Sequence, residues 1–438
     1  MPPPLGWSDL AGAGRIGVWG LGVEGRANLA RLRLEGIEPV LVDDRPDTAA
    51  GVIATAAGGL DRLAECAVVV KTPGISRYRD DARALVDRGV VLAGGLGLWL
   101  ADAPLDRVIC VTGTKGKSTT VSVAGHLAAG LGVRCFVGGN IGRPPYDPDA
   151  PDDADLWIIE VSSYQATDVA VSPPVVAVTS LHPDHLDWHG SEGAYYRDKL
   201  SLTSRPGARV TVASAEDERL HELRSLLGPE VHWVGSGEAT GWSEPLGLLG
   251  RHNAVNAAIA RAVLVAAGVT AAGDDDAVRA AAAGYPGLDS RLRVIATVDG
   301  VEFVDDSLST NVLPTMAAVD AFPERRVAVL LGGFDRGIDY GPLATHLASR
   351  AAPTLALTLP DSGDRIADAL EAAGAGAPVE VVRCADLPGA VARAFAWARP
   401  DGVVLLSPAA PSFGRFRDYR ERAAAFADAA AACGTGRG

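Results

Sequence analysis

Residues 107–120 read RVICVTGTKGKSTT, and this stretch decides the fold of the chain. The apolar run 108–111 predicts a short buried strand, and the run VSVAGHLAAGL that follows residue 120 predicts a helix. The glycine loop between them ends in Lys-Ser-Thr. Backbone N–H groups of such a loop, together with the positive end of the helix dipole, form a cradle for a polyphosphate. The spacing GxxGKS is two residues shorter than the general GxxxxGK[ST] pattern, yet a plain glycine turn does not require Lys-Ser-Thr after it.

Within this loop, Lys117 is expected to reach the β- and γ-phosphates, and the Ser118 or Thr119 hydroxyl is expected to hold Mg²⁺. The chain has 40 Lys plus Arg residues, but only four of them are lysines: Lys71, Lys115, Lys117 and Lys199. A chain with this bias toward Arg is expected to keep Lys where a primary amine matters, because the two side chains are not interchangeable.

Composition excludes several classes of protein. The formal net charge of −14 argues against a nucleic-acid or anionic membrane surface. The five cysteines have no CxxC or metal-binding spacing, which predicts reduced thiols in a cytoplasmic protein. No apolar segment has the length of a membrane span, and no signal peptide is apparent at the N-terminus.

The first 105 residues contain a second glycine loop. Residues 15–19 predict a strand that runs into GLGVEG, a GxGxxG pattern, and a second predicted strand ends at Asp43. An acidic residue about 20 positions after the glycines is typical of a dinucleotide site, with the carboxylate on a ribose hydroxyl. A UDP-sugar pocket with the same βαβ geometry stays an alternative. A third predicted strand, 67–70, runs into a turn at 71–75.

The central part places polar side chains after its predicted strands. Glu160 ends a buried strand, where a carboxylate beside a phosphate loop suits Mg²⁺; a helix-capping acid is the alternative. His182, His185 and His189 follow a strand at 175–179, and His185 could bind a metal or position phosphates. A zinc triad is a weaker alternative, because no cysteine accompanies the histidines.

Asn253 and Asn256 open a predicted helix three residues apart, so they could share a face toward a base or ribose, or cap the helix. Further βα units follow, with strands predicted at 301–304, 326–331, 354–358, 378–382 and 402–406. The pattern predicts an α/β fold of three domains with mainly parallel sheets. They are a Rossmann-like domain at 1–105, a P-loop ATPase domain at 106–287 and a second Rossmann-like domain at 288–438.

Ten motifs taken together resemble the Mur ligase family: TGTKGKST, GGNIG, EVSSYQ, HPDHLDWHGS, YYRDKLSL, GRHNAVN, SRLR, DDSLSTN, GGFDRGID and LLSPAAPSFG. These ATP-dependent amide ligases build the peptide of peptidoglycan precursors. The chain looks most similar to the glutamate-adding members, whose substrate is UDP-N-acetylmuramoyl-L-alanine. The resemblance implies ATP and Mg²⁺ as cofactors and a role in the cell wall, and we expect a monomer.

The resemblance also implies site residues. Catalysis would depend on Lys117, His185 and Lys199. ATP would be bound by Gly113, Thr114, Lys115, Gly116, Lys117, Ser118, Thr119, Asn140, Asn256 and Arg291. Metal ions would be held by Ser118, Glu160, His185 and Lys199, the last as a carbamate formed with CO₂. The UDP group would lie against Gly20, Gly22, Asp43, Arg45, Thr72 and Gly74, which replaces the dinucleotide interpretation.

Glutamate would be bound by Thr310, Arg336, Ser412, Phe413 and Tyr419. By this resemblance, ligases that add D-glutamate have a lysine at each of two positions that are Leu308 and Arg336 in this chain. The motifs DSLST, GGxDRG and SPxAPSFG are similar instead to a branch that adds L-glutamate and depends on a downstream epimerase, so L-glutamate is favoured over D-glutamate. A folylpolyglutamate-synthetase-like ligase would lack the first βαβ unit, and an NAD-dependent dehydrogenase would account for nothing after residue 105.

Overall fold

A computed structural model describes residues 4–45, 51–373 and 379–435. The α/β class and the mainly parallel sheets expected from the sequence are confirmed. The chain divides into two compact units, Met1–Pro245 with Val255–Tyr285, and Leu246–Ala254 with Pro286–Gly438. Among the described residues, the first unit contains two sheets and the second contains one. The three predicted domain ranges stay a prediction.

The first sheet has five parallel strands in the order β3-β2-β1-β4-β5. The strands are β1 Ile16–Trp19, β2 Val40–Asp43, β3 Ile53–Ala54, β4 Val68–Lys71 and β5 Val91–Gly94. The helices are α1 Val23–Leu34, α2 Leu60–Ala64, α3 Asp80–Asp87 and α4 Gly95–Asp102. Lys71, which was predicted to begin a turn, is instead the fully buried last residue of β4. The strand continues because Lys71 pairs in register with both neighbouring strands.

The second sheet has six parallel strands in the order β11-β10-β9-β6-β8-β7. The strands are β6 Val108–Thr112, β7 Cys135–Gly139, β8 Leu156–Glu160, β9 Val175–Val178, β10 Val210–Ser214 and β11 Glu230–Val234. The helices are α5 Lys117–Gly130, α6 Ser163–Ala166, α7 Leu186–His189, α8 Glu192–Leu200, α9 Glu218–Glu222, α10 Arg251–Ala266 and α11 Asp275–Ala282. The order of strands reverses at β6, and ligands of open α/β sheets bind at such a point.

The third sheet has the order β12-β13-β17-β14-β15-β16. The strands are β12 Arg293–Val298, β13 Val301–Asp305, β14 Val327–Leu331, β15 Thr354–Thr358, β16 Val379–Arg383 and β17 Val403–Leu406. The helices are α12 Val312–Asp320, α13 Gly341–Ala348, α14 Gly363–Ala372, α15 Leu387–Ala398 and α16 Tyr419–Thr435. The sequence did not predict β12, an antiparallel edge strand in which three residues are exposed and three are half-buried, so that it lacks a buried pattern. Residue 378, the predicted start of β16, lies outside the described residues.

Apolar side chains from both faces of each sheet form the cores. Strands β1, β4, β6, β8, β9, β14, β15 and β17 are buried along their whole length, as is typical of parallel sheets covered by helices on both faces. Within the described ranges, no helix is long and apolar enough to cross a membrane.

Candidate active site

The glycine loop lies at the carboxyl end of β6, between the ends of β8 and β9. Gly113 has φ 138° and Gly116 has φ 89°, which are conformations that favour glycine. A Cβ atom on Gly113 would lie 2.1 Å from Thr179 Oγ1, and one on Gly116 would lie 2.4 Å from Asn256 Oδ1. Both glycines are therefore required by space as well as by backbone conformation. Helix α5 begins at Lys117 and points its N-terminus at the loop.

The loop is held by side chains from the β9 end and from α8. The Thr114 hydroxyl lies 2.7 Å from the Tyr195 hydroxyl and accepts from the His182 N–H at 3.0 Å. The Lys115 N–H donates to Ser180 Oγ at 2.9 Å. Lys117 Nζ donates to the carbonyls of Gly113 and Thr114, at 2.9 and 3.1 Å. The ammonium group thus lies at the loop itself, where a phosphate would meet it.

Glu160 has the properties of a cation ligand. It is the last residue of β8, it is 2% exposed, and it lies in register with Val111 of β6. Its Oε1 accepts from Asn140 Nδ2 at 2.7 Å, whereas its buried Oε2 has no hydrogen-bond partner among the described residues. An unpaired buried carboxylate oxygen beside a phosphate loop fits Mg²⁺, which takes oxygen ligands.

No three His, Cys, Asp or Glu side chains in the described ranges are grouped so that they could hold a metal by themselves. This finding disfavours the zinc triad, as does His189, whose two ring nitrogens are bonded to Asp198 and Ser163. Mg²⁺ remains compatible with the geometry, because it usually takes only one or two carboxylates together with phosphate oxygens and water.

His185 lies at the N-terminus of α7 with a φ of 52° and a half-exposed ring, whose centroid is 4.9 Å from that of Tyr164. Desolvation lowers the pKa of His185 from its usual value, and nearby Asp184 opposes that shift. The neutral imidazole favoured by burial is the form that binds metals.

Lys199 is 2% exposed, and its Nζ donates to the Gly113 carbonyl at 2.9 Å. Burial, reinforced by the charge of Lys117, holds the pKa of Lys199 well below its usual value. A lowered pKa favours the uncharged, nucleophilic form of a lysine amine over the ammonium form. This chemistry fits the expected reaction with CO₂.

The two asparagines of α10 have separate roles. Asn256 packs its side-chain oxygen against Gly116 of the glycine loop, which places it on the phosphate side of the site. Asn253 donates from Nδ2 to the Leu249 carbonyl at 2.8 Å, at the start of the helix. Arg291 belongs to the other compact unit, where it is exposed between Ser290 and Leu292, both of positive φ.

In the first sheet, Asp43 organises the second glycine loop. Its Oδ2 accepts from the Leu21 N–H at 2.6 Å and its Oδ1 accepts from the Arg45 N–H at 2.7 Å. Thr72 packs against Gly20, where a Cβ would lie 2.3 Å from Thr72 Oγ1. The predicted UDP residues Gly20, Asp43, Arg45 and Thr72 thus occur at one edge of the sheet. Gly22 is the N-cap of α1 in the second glycine loop, and Gly74, where an added Cβ would meet no atom within 4 Å, lies in the turn after β4 with Thr72.

A buried polar network between the first and second sheets was not predicted from the sequence. Lys71 forms an ion pair with Asp168, and both side chains are almost completely buried. Glu24, at the start of α1, accepts from Gln165 Nε2 at 3.0 Å and from the Tyr146 hydroxyl at 2.9 Å. Desolvation raises the pKa of Glu24. No local pattern signals these pairs, because their members are separated by 97 to 141 positions.

In the second compact unit, three loops meet at the carboxyl ends of the neighbouring strands β13, β17 and β14. Arg422 of α16 is 1% exposed and donates to the carbonyls of Ser307 and Ala410, at 2.7 and 3.1 Å. The Phe334 N–H donates to the Pro411 carbonyl at 2.9 Å. Arg422 and these backbone bonds therefore hold together the loops on which the glutamate residues were predicted.

The predicted glutamate residues differ in exposure. Ser412 is buried at 6%, Phe413 is 50% exposed, and Arg336 lies exposed in the loop after β14. Thr310 and Tyr419 are half-buried, and Tyr419 begins α16. The structure brings three of the segments that carry them to one sheet edge, and their contact with glutamate stays a prediction.

Two family models match the chain. Residues 111–244 match the Mur ligase middle domain, and residues 290–410 match the Mur ligase glutamate ligase domain. The glycine loop lies mainly in the first match, and the three loops held by Arg422 lie mostly in the second.

Two relatives are similar over nearly the whole chain, and both are named UDP-N-acetylmuramoyl-L-alanine–L-glutamate ligase. The protein from Micromonospora sp. is 42% identical, and the alignment covers 96% of this chain and 97% of that protein. The protein from Salinispora tropica is 41% identical and covers 96% and 98%.

Solved structures support the fold. A MurF ligase from Thermotoga maritima in complex with ADP has a TM-score of 0.58 at 14% identity, and covers 97% of this chain and 96% of its own. A FolC structure from E. coli has a TM-score of 0.52 at 18% identity and covers 75% of this chain and 89% of its own. The site geometry, the family models and the relatives agree, and the chain belongs to the Mur ligase family of ATP-dependent amide ligases.

Proposed function

We propose that this ligase joins L-glutamate to UDP-N-acetylmuramoyl-L-alanine and converts ATP to ADP and phosphate. The observation that carries the ATP-dependent step is the convergence of Lys117 and Lys199 on the Gly113 carbonyl, with the unpaired oxygen of Glu160 at the end of the neighbouring strand β8. The two substrates are those in the names of the relatives at 41–42% identity.

Mg²⁺ would be held by Glu160 and Ser118 at one position and by His185 and carbamylated Lys199 at another, and it would neutralise charge on the transferring phosphate. The chain's own contribution is charge and position. Lys117 would bind the γ-phosphate and stabilise the charge that develops during transfer. Carbamylation of the Lys199 amine would place an anion next to the positive charges of Lys117 and Lys115.

The alanine carboxylate would attack the γ-phosphorus, so that a carboxylate–phosphorus bond forms and the bond from the γ-phosphorus to ADP breaks. The glutamate amine, after losing a proton, would then attack the acyl carbon of this acyl phosphate and release phosphate. The glycine loop around Gly20 and Gly22, with Asp43, Arg45, Thr72 and Gly74, would hold the UDP group during both steps.

Glutamate would be bound by Thr310, Arg336, Ser412, Phe413 and Tyr419, with the Arg336 fork suited to a carboxylate. L-glutamate is supported by Leu308 and Arg336 in place of lysines and by the names of the relatives. The product would then be the substrate of an epimerase. We also propose a cytoplasmic location, where its nucleotide substrates are available, and a monomeric state.

The direct test measures phosphate release from ATP with Mg²⁺ and UDP-N-acetylmuramoyl-L-alanine, in parallel with L- and D-glutamate. Release with L-glutamate alone supports the proposal. Release with D-glutamate alone would show that Leu308 and Arg336 are compatible with the other isomer. No release with either isomer would refute the assigned substrates.

A further inference from the structure

Four side chains form a continuous hydrogen-bonded chain next to the phosphate site. The Tyr78 hydroxyl lies 2.8 and 2.9 Å from the two carboxylate oxygens of Asp198. His189 Nδ1 lies 2.6 Å from Asp198 Oδ2, and His189 Nε2 lies 3.0 Å from Ser163 Oγ. The His189 side chain is completely buried. Because a carboxylate only accepts hydrogen bonds, Nδ1 carries a proton and the orientation of the ring is fixed.

Three of these side chains lie on segments that carry a predicted metal-site residue, although none lies on the segment of Ser118. Ser163 follows Glu160, His189 follows His185, and Asp198 directly precedes Lys199. Within the described ranges, no side chain other than His189 bonds to both Ser163, which is 26 positions away, and Asp198, which is 9 positions away. His189 therefore links the end of β8, helix α7 and helix α8.

Aromatic packing reinforces the link. The Tyr164 ring stacks on Trp188 with centroids 4.6 Å apart and lies 5.7 Å from His189. The Ser76 hydroxyl donates to the Trp188 carbonyl at 3.1 Å, and Tyr78 reaches Asp198 from the same turn after β4. Burial raises the pKa of Tyr78 to about 12, so its hydroxyl stays protonated and donates to Asp198. The turn after β4 of the first sheet is thus hydrogen-bonded to Trp188 and Asp198.

The order Ser-His-Asp is that of a hydrolase triad, but the geometry indicates another role. A catalytic serine must reach a substrate carbonyl, whereas Ser163 is 3% exposed and begins α6 inside the protein. Residues that orient metal ligands through hydrogen bonds are a general feature of metal sites.

We propose that His189 is a positioning residue, which holds the segments of Glu160, His185 and Lys199 in the arrangement that binds a nucleotide-bound divalent cation. Ser163 and Asp198 are its two anchors, and Tyr78 connects it to the first sheet. The inference rests on the ATP and metal part of the proposed function and not on the identity of the amino acid.

The test measures Mn²⁺ binding to the full-length protein in the presence of ADP, with electron paramagnetic resonance as the readout. The proteins compared are the wild type, His189→Ala, Ser163→Ala and His221→Ala. The matched control is His221, which stacks on Trp233 and bonds to none of the four hydrogen-bonded side chains. We expect His189→Ala to weaken Mn²⁺ binding about tenfold or more, Ser163→Ala to weaken it less, and the control to match the wild type. In turnover assays, kcat should fall for His189→Ala and the KM for the UDP substrate should stay within about twofold.

Ser163→Ala removes one hydroxyl and keeps the test decisive if His189→Ala does not fold. Wild-type Mn²⁺ affinity in a folded His189→Ala variant would overturn the inference, as would wild-type affinity in Ser163→Ala if His189→Ala is unfolded. If the wild type binds Mn²⁺ with ADP but releases no phosphate with either glutamate isomer, the proposed substrates fail and the positioning role stands.

Discussion

The phosphate loop and the glutamate-binding loops present their functional groups in different ways. Around Gly113, the groups expected to act are themselves fixed, because Lys117, Lys199 and Glu160 are bonded within the fold. In the second unit, the loops are fixed by Arg422, whereas Arg336 and Phe413 are exposed on them. A preorganised charge site stabilises a transition state directly, while exposed side chains on held loops lose conformational freedom when the ligand binds. Substitutions in the first region should therefore mainly lower kcat, and those in the second should mainly raise the KM for glutamate.

The largest effect is expected for Lys117→Ala. Loss of the ammonium removes the positive charge at the loop where transferring phosphate would lie, so kcat should fall about 10²- to 10³-fold. Phosphate-release kinetics measure this change, and Lys117→Arg tests whether charge alone is sufficient. Turnover near the wild-type rate in Lys117→Ala would remove this loop from the mechanism.

Lys199→Arg keeps a positive charge but cannot form the expected carbamate. We expect kcat to fall about 10- to 100-fold, in line with loss of a group that binds or orients metal. Carbon-13 NMR of wild-type protein in labelled bicarbonate should show a carbamate signal that is absent from the variant. A wild type without this signal would contradict carbamylation.

Arg422→Met tests the loops of the second unit. The change leaves the buried carbonyls of Ser307 and Ala410 without their donor, which should lower the free energy of unfolding by about 2–3 kcal/mol. The KM for glutamate should rise several-fold with little change in the KM for ATP. Arg393→Met is the matched control, because Arg393 is exposed on α15 of the same unit. Equal KM values in both variants would refute the role of Arg422.

Arg336→Lys should have a smaller effect, because Lys keeps the charge but loses the two-pronged grip on a carboxylate. The expected result is a rise of about fivefold in the KM for L-glutamate, corresponding to about 1 kcal/mol. Steady-state kinetics with both glutamate isomers would also show whether lysine at this position improves use of D-glutamate. An unchanged KM would place Arg336 outside the glutamate site.

The smallest effect concerns pH. Burial raises the pKa of Asp306 to about 7, although the Ser407 hydroxyl bond and Arg291 act against the shift. The folded form therefore holds a proton that the unfolded form has lost between about pH 4 and pH 7. The stabilisation is present below the unfolded pKa and is lost as pH rises through the folded pKa. The Tm of the wild type should fall from pH 5 to pH 8 by more than that of Asp306→Asn, and equal slopes would contradict this assignment.

The sequence predicted the parts of the site that depend on local pattern. The positions of the glycine loop and of Glu160 at the end of β8 were predicted because strand, loop and helix signals lie next to each other along the chain. Lys199 on α8 was singled out because the chain has only four lysines. Arg422, Lys71 and Glu24 were not assigned roles, because each has a partner about 100 or more positions away in sequence. His189 was considered only as a member of a zinc triad, because the sequence does not show that its ring bonds to Asp198 and Ser163. Asp43 was predicted to contact the ligand, which stays a prediction, and the structure adds that its two oxygens accept from the Leu21 N–H of the glycine loop and from the Arg45 N–H. Local pattern gives the position of an acidic residue at a strand end and does not give its hydrogen-bond partners.

Because of the distribution of lysines, chemical modification of lysine side chains would report whether nucleotide occupies the glycine loop. Lys71 and Lys199 are buried, whereas Lys115 and Lys117 in the glycine loop are partly exposed. An amine-reactive acylating reagent should therefore modify these two side chains ahead of the two buried lysines. Protection of the loop peptide by nucleotide, followed by mass spectrometry, would report occupancy of the site without any coupled assay or engineered label.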